Sequence, residues 1–216
     1  MAARRDSERT QERILDALAR IIVRNGLAAV GVNSLSREAG CDKVLIYRYF
    51  GDLDGVYRAY AERGDIWHTT AEILAGIDPT RTSLSDALKL CLRHHAIEIR
   101  KRPLTLAVLG AELSQRTQLV VALEAVRERR ANAITVWLAE HYEAPPGVDI
   151  QTIGLLLSAA INYLAVRART IRVMSGVPIK THEDWERLLA AADQIIDGVF
   201  SRVHHKARVR GAAGND

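Results

Sequence analysis

Aromatic residues are scarce in this 216-residue chain: Phe, Tyr and Trp together make up only 5%. Ala, Leu, Ile, Val, Arg and Glu dominate instead, and small or unbranched side chains lose little freedom in a helix. Strand signals are absent. Cysteine is scarcer still: Cys41 and Cys91 cannot build a disulfide framework and suit a reducing cytoplasm. The N-terminal stretch has no apolar core of the kind a secretory signal needs. The longest apolar stretch, Ile153 to Val166, is interrupted by Ser158 and Asn162. It is shorter than the roughly 18–20 residues of a membrane span, so no membrane partner is expected.

Signatures of chemistry are missing too. There is no Ser/His/Asp order tied to a nucleophile turn, no phosphate-cradling Gly loop and no paired metal motif. His94 and His95 are adjacent on a helical stretch and point about 100° apart, so they do not share a metal. Beside Cys41 only Lys43 would lower a thiol pKa, which favours a structural thiol. The expectation is a cytoplasmic, non-enzymatic protein with no cofactor and no metal.

What is present is ordinary globular material: 48% hydrophobic, 26% charged, with a formal charge of +4 that is compatible with a polyanionic partner. Ile14, Leu15, Leu18, Ile21 and Ile22 carry the period of an amphipathic helix from Ser7 to Arg24, stopped by Asn25-Gly26. Short helices follow from Val32 to Ala39 and from Lys43 to Phe50, with Gly40 between them and Asp42 as the cap. A fourth starts near Asp52 and carries Leu53, Val56, Tyr57, Tyr60 and Trp67 towards Asp78-Pro79. Five longer helices are then predicted: Leu84–Arg100, Leu104–Ser114, Leu119–Tyr142, Gln151–Met174 and His182–His205. Pro103, Pro145-Pro146-Gly147 and Ser175-Gly176-Val177-Pro178 punctuate them. The fold class is all-α.

The stretch from Ser34 to Phe50 reads as a helix-turn-helix. Leu35, Ser36, Ala39 and Ile46 are small or apolar where helices must cross, and Gly40 takes the turn. With Ile46 and Phe50 facing inward, Lys43, Val44, Tyr47 and Arg48 share the outward face. Cations and hydroxyls there suit phosphates, Arg48 suits guanine, and Val44 with bordering Leu45 suits thymine methyls.

These residues resemble the DNA-binding domain of TetR-family regulators over roughly Thr10 to Tyr60. The marks are Ile14-Leu15 and Ala17, Gly26, Leu35 with Ala39-Gly40, Ile46 through Phe50, and Gly51 followed by Gly55-Val56. The resemblance implies an all-α, Ω-shaped homodimer that binds double-stranded operator DNA. It further implies a fourth helix linking the reading head to a domain that binds a small-molecule effector and dimerises. The DNA-facing set is Arg37, Lys43, Val44, Leu45, Tyr47, Arg48 and Tyr49. Leu53 stands where a phosphate-touching Lys is frequent, so Arg37 or an arm of Arg4, Arg5 and Arg9 takes over that contact. That arm reads equally as a solvated tail. The domains predicted are 8–62 (helix-turn-helix about 32–50), 63–206 and a frayed tail, 207–216.

In the C-terminal part, the polar or aromatic side chains at apolar helices nominate Trp67, His95, Glu112, Trp137, Asn162, Tyr163 and Arg167 for an effector pocket. Two long apolar stripes nominate Leu157, Ile161, Leu164, Leu188, Ile195 and Val199 for a dimer interface built as a four-helix bundle. The alternative is that both stripes serve the monomer's own core. The functional expectation is a ligand-responsive repressor, with an activator as the alternative and a helical enzyme or ligand-binding protein as the rival.

Overall fold

Helices form where the spacing of apolar residues predicts them. The computed structural model describes residues 2–63, 66–114 and 116–212, with side-chain surroundings for 5–63, 66–114 and 116–201. In chain order these are α1 Ala2–Asn25, α2 Val32–Ala39, α3 Lys43–Phe50, α4 Leu53–Arg63 and α5 Thr70–Ile73. Then come α6 Leu84–Arg100, α7 Pro103–Glu112, α8 Gln118–His141, α9 Ile150–Arg167 and α10 His182–Ala212. A short 3-10 turn, Leu27–Ala29, precedes α2.

The structure differs from the sequence reading in four places. The fourth helix, expected to carry Trp67 towards Asp78-Pro79, ends at Arg63, and Thr69 caps a separate short helix, Thr70–Ile73. The first helix begins at Ala2, so Arg5 and Arg9 lie on a helix rather than on an extended arm; the Arg4 side chain lies outside the described residues. The helix expected to run to Met174 ends at Arg167. An antiparallel hairpin follows, β1 Val173–Met174 with β2 Val177–Pro178, where no strand was expected. Its turn is Ser175-Gly176, with Ser175 at φ 47°, the positive-φ geometry that two-residue hairpin turns demand. Finally, α10 continues through residues 207–212, part of the expected tail; residues 213–216 lie outside the described residues.

The chain divides into two units: Met1–His68 with Lys101–Arg129, and Thr69–Arg100 with Arg130–Asp216. In the first, α1 buries Ile14, Ala17, Leu18 and Ile22 against α2, α3, α4 and α7. Leu35, Ile46, Val56 and Tyr60 complete that core. The start of α8 adds Leu119, Val120 and Leu123. The Trp67 indole N–H donates to Leu123 O at 3.1 Å, and the fully buried Thr105 hydroxyl donates to Ile66 O.

In the second unit, α6 is central and packs on α5, α9 and α10. Arg93 bridges to Glu186 (2.6 Å) and Asp193 (3.3 Å), and Lys89 to Asp197 (2.5 Å). Trp185 is buried, its N–H on Ile179 O (2.9 Å) and the Arg100 guanidinium 4.5 Å from its ring centroid. Trp137 and Tyr142 close a cluster with Ile73, Ile77, Ala87 and Cys91.

Candidate nucleic-acid interface

The exposed face of α3 is held by local chemistry at both ends. At its start the Asp42 carboxylate accepts the Val44 amide (2.8 Å), satisfying an otherwise orphan donor. Before it, Gly40 sits in the left-handed region at φ 61° and closes α2. Two carbonyls at that turn, Ala39 O and Gly40 O, accept from Arg13 Nη2 of α1 at 2.5 and 2.8 Å. The Ser36 hydroxyl donates to Cys41 O (2.7 Å), which fixes the other side of the turn. Glu38 on α2 accepts from Arg20 (2.7 Å) and Arg24 of α1, and these guanidiniums hold its carboxyl below the ordinary carboxylate range.

At the far end of α3, the Gly55 amide donates to Asp52 Oδ1 (2.7 Å) as α4 begins. A Cβ on Gly55 would stand 1.8 Å from the Phe50 carbonyl oxygen, closer than any real contact. Glycine is therefore required by close approach of backbone, and the angle between α3 and α4 depends on it.

This frame leaves a defined surface. Ile46 is fully buried, while Val44 is 66% and Tyr47 52% exposed. Arg37, Lys43 and Arg48 are also exposed, whereas Leu45 and Tyr49 are half-buried. The Arg48 guanidinium carbon lies 6.0 Å from the Tyr49 ring centroid, within cation–π range. Half-burial makes Leu45 chiefly a packing residue. Arg13 was missed by sequence reading, because an arginine on an amphipathic helix looks like any solvated cation.

The residues nominated for an effector separate by unit. In the first, Arg127 Nη1 donates to Glu112 Oε2 at 2.5 Å, and its guanidinium carbon lies 5.3 Å from the Trp67 ring centroid. In the second, His95 Nε2 donates to Asn162 Oδ1 at 2.9 Å, tying α6 to α9; burial holds the His95 pKa below its ordinary value. Trp137 stacks on His141 at 4.3 Å between centroids. Tyr163 and Arg167 are exposed. None of the seven lines the apolar groove that the first unit presents between α1 and α7, which is walled by Ala19, Val23, Pro103 and Leu104 with Arg20 and Arg24 alongside.

The residues nominated for the dimer interface differ in exposure. Ile161 is buried, and Leu157, Leu164, Leu188 and Val199 are half-buried, within the unit itself; of the six only Ile195 is exposed, at 53%. The outward face of α9 is formed instead by Leu155 (66%), Leu156 (65%), Ala159, Ala160 and Tyr163. Because α9 is apolar on both sides, period alone did not show which side meets the monomer's core. By length and composition alone α9, 18 residues with mean hydropathy 1.3, is long and apolar enough to cross a membrane. Its inward face, however, carries Asn162 paired to His95 and packs on α6.

Burial raises both thiols, Cys91 to about 11, which disfavours the thiolate form. Among the described residues no group of three His, Cys, Asp or Glu comes together as a metal site.

The fold and the α2–α3 geometry define a helix-turn-helix protein. Residues 14–60 match the sequence profile described as "Bacterial regulatory proteins, tetR family". HTH-type transcriptional regulators of Mycobacterium tuberculosis strains CDC 1551 / Oshkosh and H37Rv are each 27% identical over 134 residues. That match spans 58% of this chain and 64% of the relatives' length. Among solved structures, a TetR-family transcriptional regulator of Haemophilus influenzae RD superposes with a TM-score of 0.60 at 17% identity, covering 90% of this chain and 98% of the other. The transcriptional regulator FadR of Bacillus subtilis, in complex with stearoyl-CoA, gives 0.59 at 15%, covering 86% and 96%. At such identities the similarity to the solved structures is one of fold.

Proposed function

We propose that the chain is a DNA-binding transcriptional regulator that grips operator DNA as a homodimer, and that it acts as a repressor released by a small molecule. The carrying observation is the outward face of α3: Lys43, Val44, Tyr47 and Arg48 are exposed on a helix whose cap, turn and exit are all fixed. In this reading residues 8–62 form the DNA-binding domain, and 63–206 the effector-binding and dimerisation part. Lys43 and Tyr49 meet phosphates, Arg37 takes the backbone contact that Leu53 cannot make, and Arg48 reads a base edge.

Two half-sites need two reading heads about one helical turn of DNA (~34 Å) apart, or a multiple of that. The uncovered apolar face of α9, joined by Ile195 of α10, supplies a self-complementary surface for that pairing. The stearoyl-CoA complex of the FadR neighbour supports a ligand-responsive reading here. An effector lowers operator affinity only if it prefers the conformation whose reading heads fit the duplex poorly; equal affinity for both states shifts nothing. The same contacts serve an activator, the difference being where the operator lies.

The test is DNA selection from a random pool, followed by binding titration of the selected site at several salt concentrations. Selection of a two-fold symmetric sequence, bound more weakly as salt rises, is the expected outcome. Recovery of no preferred sequence overturns the reading.

A further inference from the structure

We propose that Trp67 and Glu112 form a seat for a planar organic cation, an amidinium or guanidinium, which the chain's own Arg127 occupies in the unliganded protein. The proposal rests on the ligand-responsive reading and names a chemical class for the ligand. Arg127 lies over the face of Trp67, 5.3 Å from the centroid, while the indole N–H is already committed to Leu123 O. The ring therefore offers its electron-rich face, the part that attracts a delocalised cation.

Arg127 fills the seat incompletely. A guanidinium and a carboxylate ordinarily meet through two parallel hydrogen bonds. Here Arg127 gives one, Nη1 to Glu112 Oε2 at 2.5 Å, and turns its Nε towards Glu128 Oε1 at 3.5 Å. The Glu112 side chain is only 11% exposed, and its second oxygen, Oε1, is buried with no hydrogen-bond partner. An unpaired buried acceptor carries a real desolvation cost. Burial accordingly pushes the Glu112 carboxyl above its ordinary range despite Arg127. A ligand amidinium, with two N–H groups side by side, satisfies both oxygens.

The surroundings tolerate added positive charge. Glu112, Glu124 and Glu128 act on this site, against Arg127 and Arg116, the latter 3.3 Å from Glu124. Arg127 is itself partly exposed, so its head has a route out to water. Arg129 bonds Glu62 at the end of α4 (2.7 Å), and the next residue, Arg63, bonds Asp16 of α1 (2.7 Å). Arg127 therefore lies two residues from an ion pair that ties α8 to α4.

The experiment uses the full chain with benzamidinium as the probe and neutral benzamide and anionic benzoate as controls. Thermal melting and calorimetry are run on wild type, Arg127→Ala, Glu112→Gln and the double variant. Benzamidinium should bind wild type, bind Arg127→Ala at least tenfold more tightly, and raise the melting temperature of that variant; Glu112→Gln should abolish the response. If Arg127→Ala does not fold alone, folding in benzamidinium but not in benzamide supports the seat, and failure in both overturns it. Equal effects of benzamidinium and benzamide, or a response that survives Glu112→Gln, also overturn it. Operator binding is measured separately. Benzamidinium binding with unchanged operator affinity leaves the seat standing and refutes the ligand-responsive reading.

Discussion

Two helices of this chain turn an uncovered face outward, and the two faces have opposite chemistry. On α3 the exposed side chains are Lys43, Val44, Tyr47 and Arg48; on α9 they are Leu155, Leu156, Ala159, Ala160 and Tyr163. The first face is small, cationic and braced at each end by hydrogen bonds from neighbouring helices. The second is long and apolar, and no described residue of its own unit covers it. Water tolerates the first without a partner, since cations and hydroxyls stay solvated. Leaving the second exposed forgoes about 25 cal/mol for each Å2 of apolar surface that a partner could bury. A charged face fixed in geometry suits a polyanion; an apolar face of this extent suits a second copy of the same chain.

The comparison breaks most severely at Gly55. Gly55→Val forces a side chain onto the Phe50 carbonyl, so α4 must shift relative to α3. The expected cost is about 3 kcal/mol, a melting point lower by roughly 6–12 °C, and operator binding reduced beyond detection. Retention of wild-type melting and binding would show that the α3–α4 joint is not what sets the reading head. Next in size is the apolar face itself. Leu155→Glu combined with Leu156→Glu places two carboxylates on it. Light scattering should then report monomers, with operator affinity reduced at least a hundredfold, while helicity by circular dichroism is kept. A dimer surviving both changes removes α9 from the interface.

On the cationic face, Arg48→Ala and Tyr47→Ala should each cost about 1–3 kcal/mol of operator affinity, with dimerisation unchanged. Arg13→Ala acts one step removed. It takes the donor from Ala39 O and Gly40 O, and its cost, about 1.5–3 kcal/mol, should appear both in melting and in operator affinity. Loss of affinity with no loss of stability would mean that Arg13 touches DNA directly rather than holding the turn.

The smallest effect concerns pH. Burial lowers the His95 pKa in the folded chain below the ordinary value of 6.5. The unfolded chain therefore binds more protons between those two values, so stability rises with pH across that window and falls on acidification through it. Melting at pH 5.5 should lie below melting at pH 7.5, and His95→Gln should flatten the slope. An unchanged slope in His95→Gln would assign the dependence to another group.

The two faces also differ in how far the sequence disclosed them. Around α3 the signals are local: Asp42 caps, Gly40 turns and Ile46 points inward, so the predicted spans Val32–Ala39 and Lys43–Phe50 coincide with α2 and α3. Which side of α9 lies outward is a tertiary matter, because leucines and alanines occupy both sides and only packing on α6 decides. The hairpin at Ser175-Gly176 was hidden for a related reason: two-residue strands are too short to show alternation. Arg13 and Arg127 were hidden because an arginine's partners lie 26 and 15 residues away in sequence, beyond any local pattern.

The most direct measurement compares wild type, Lys43→Ala and Arg48→Ala on the DNA site each selects, with binding constants taken across a range of salt. If the face of α3 lies in a groove, Lys43→Ala lowers the steepness of the salt dependence by about one unit, and Arg48→Ala loosens the preference at one base pair per half-site. If both variants keep wild-type affinity, salt slope and sequence preference, α3 is not the reading surface.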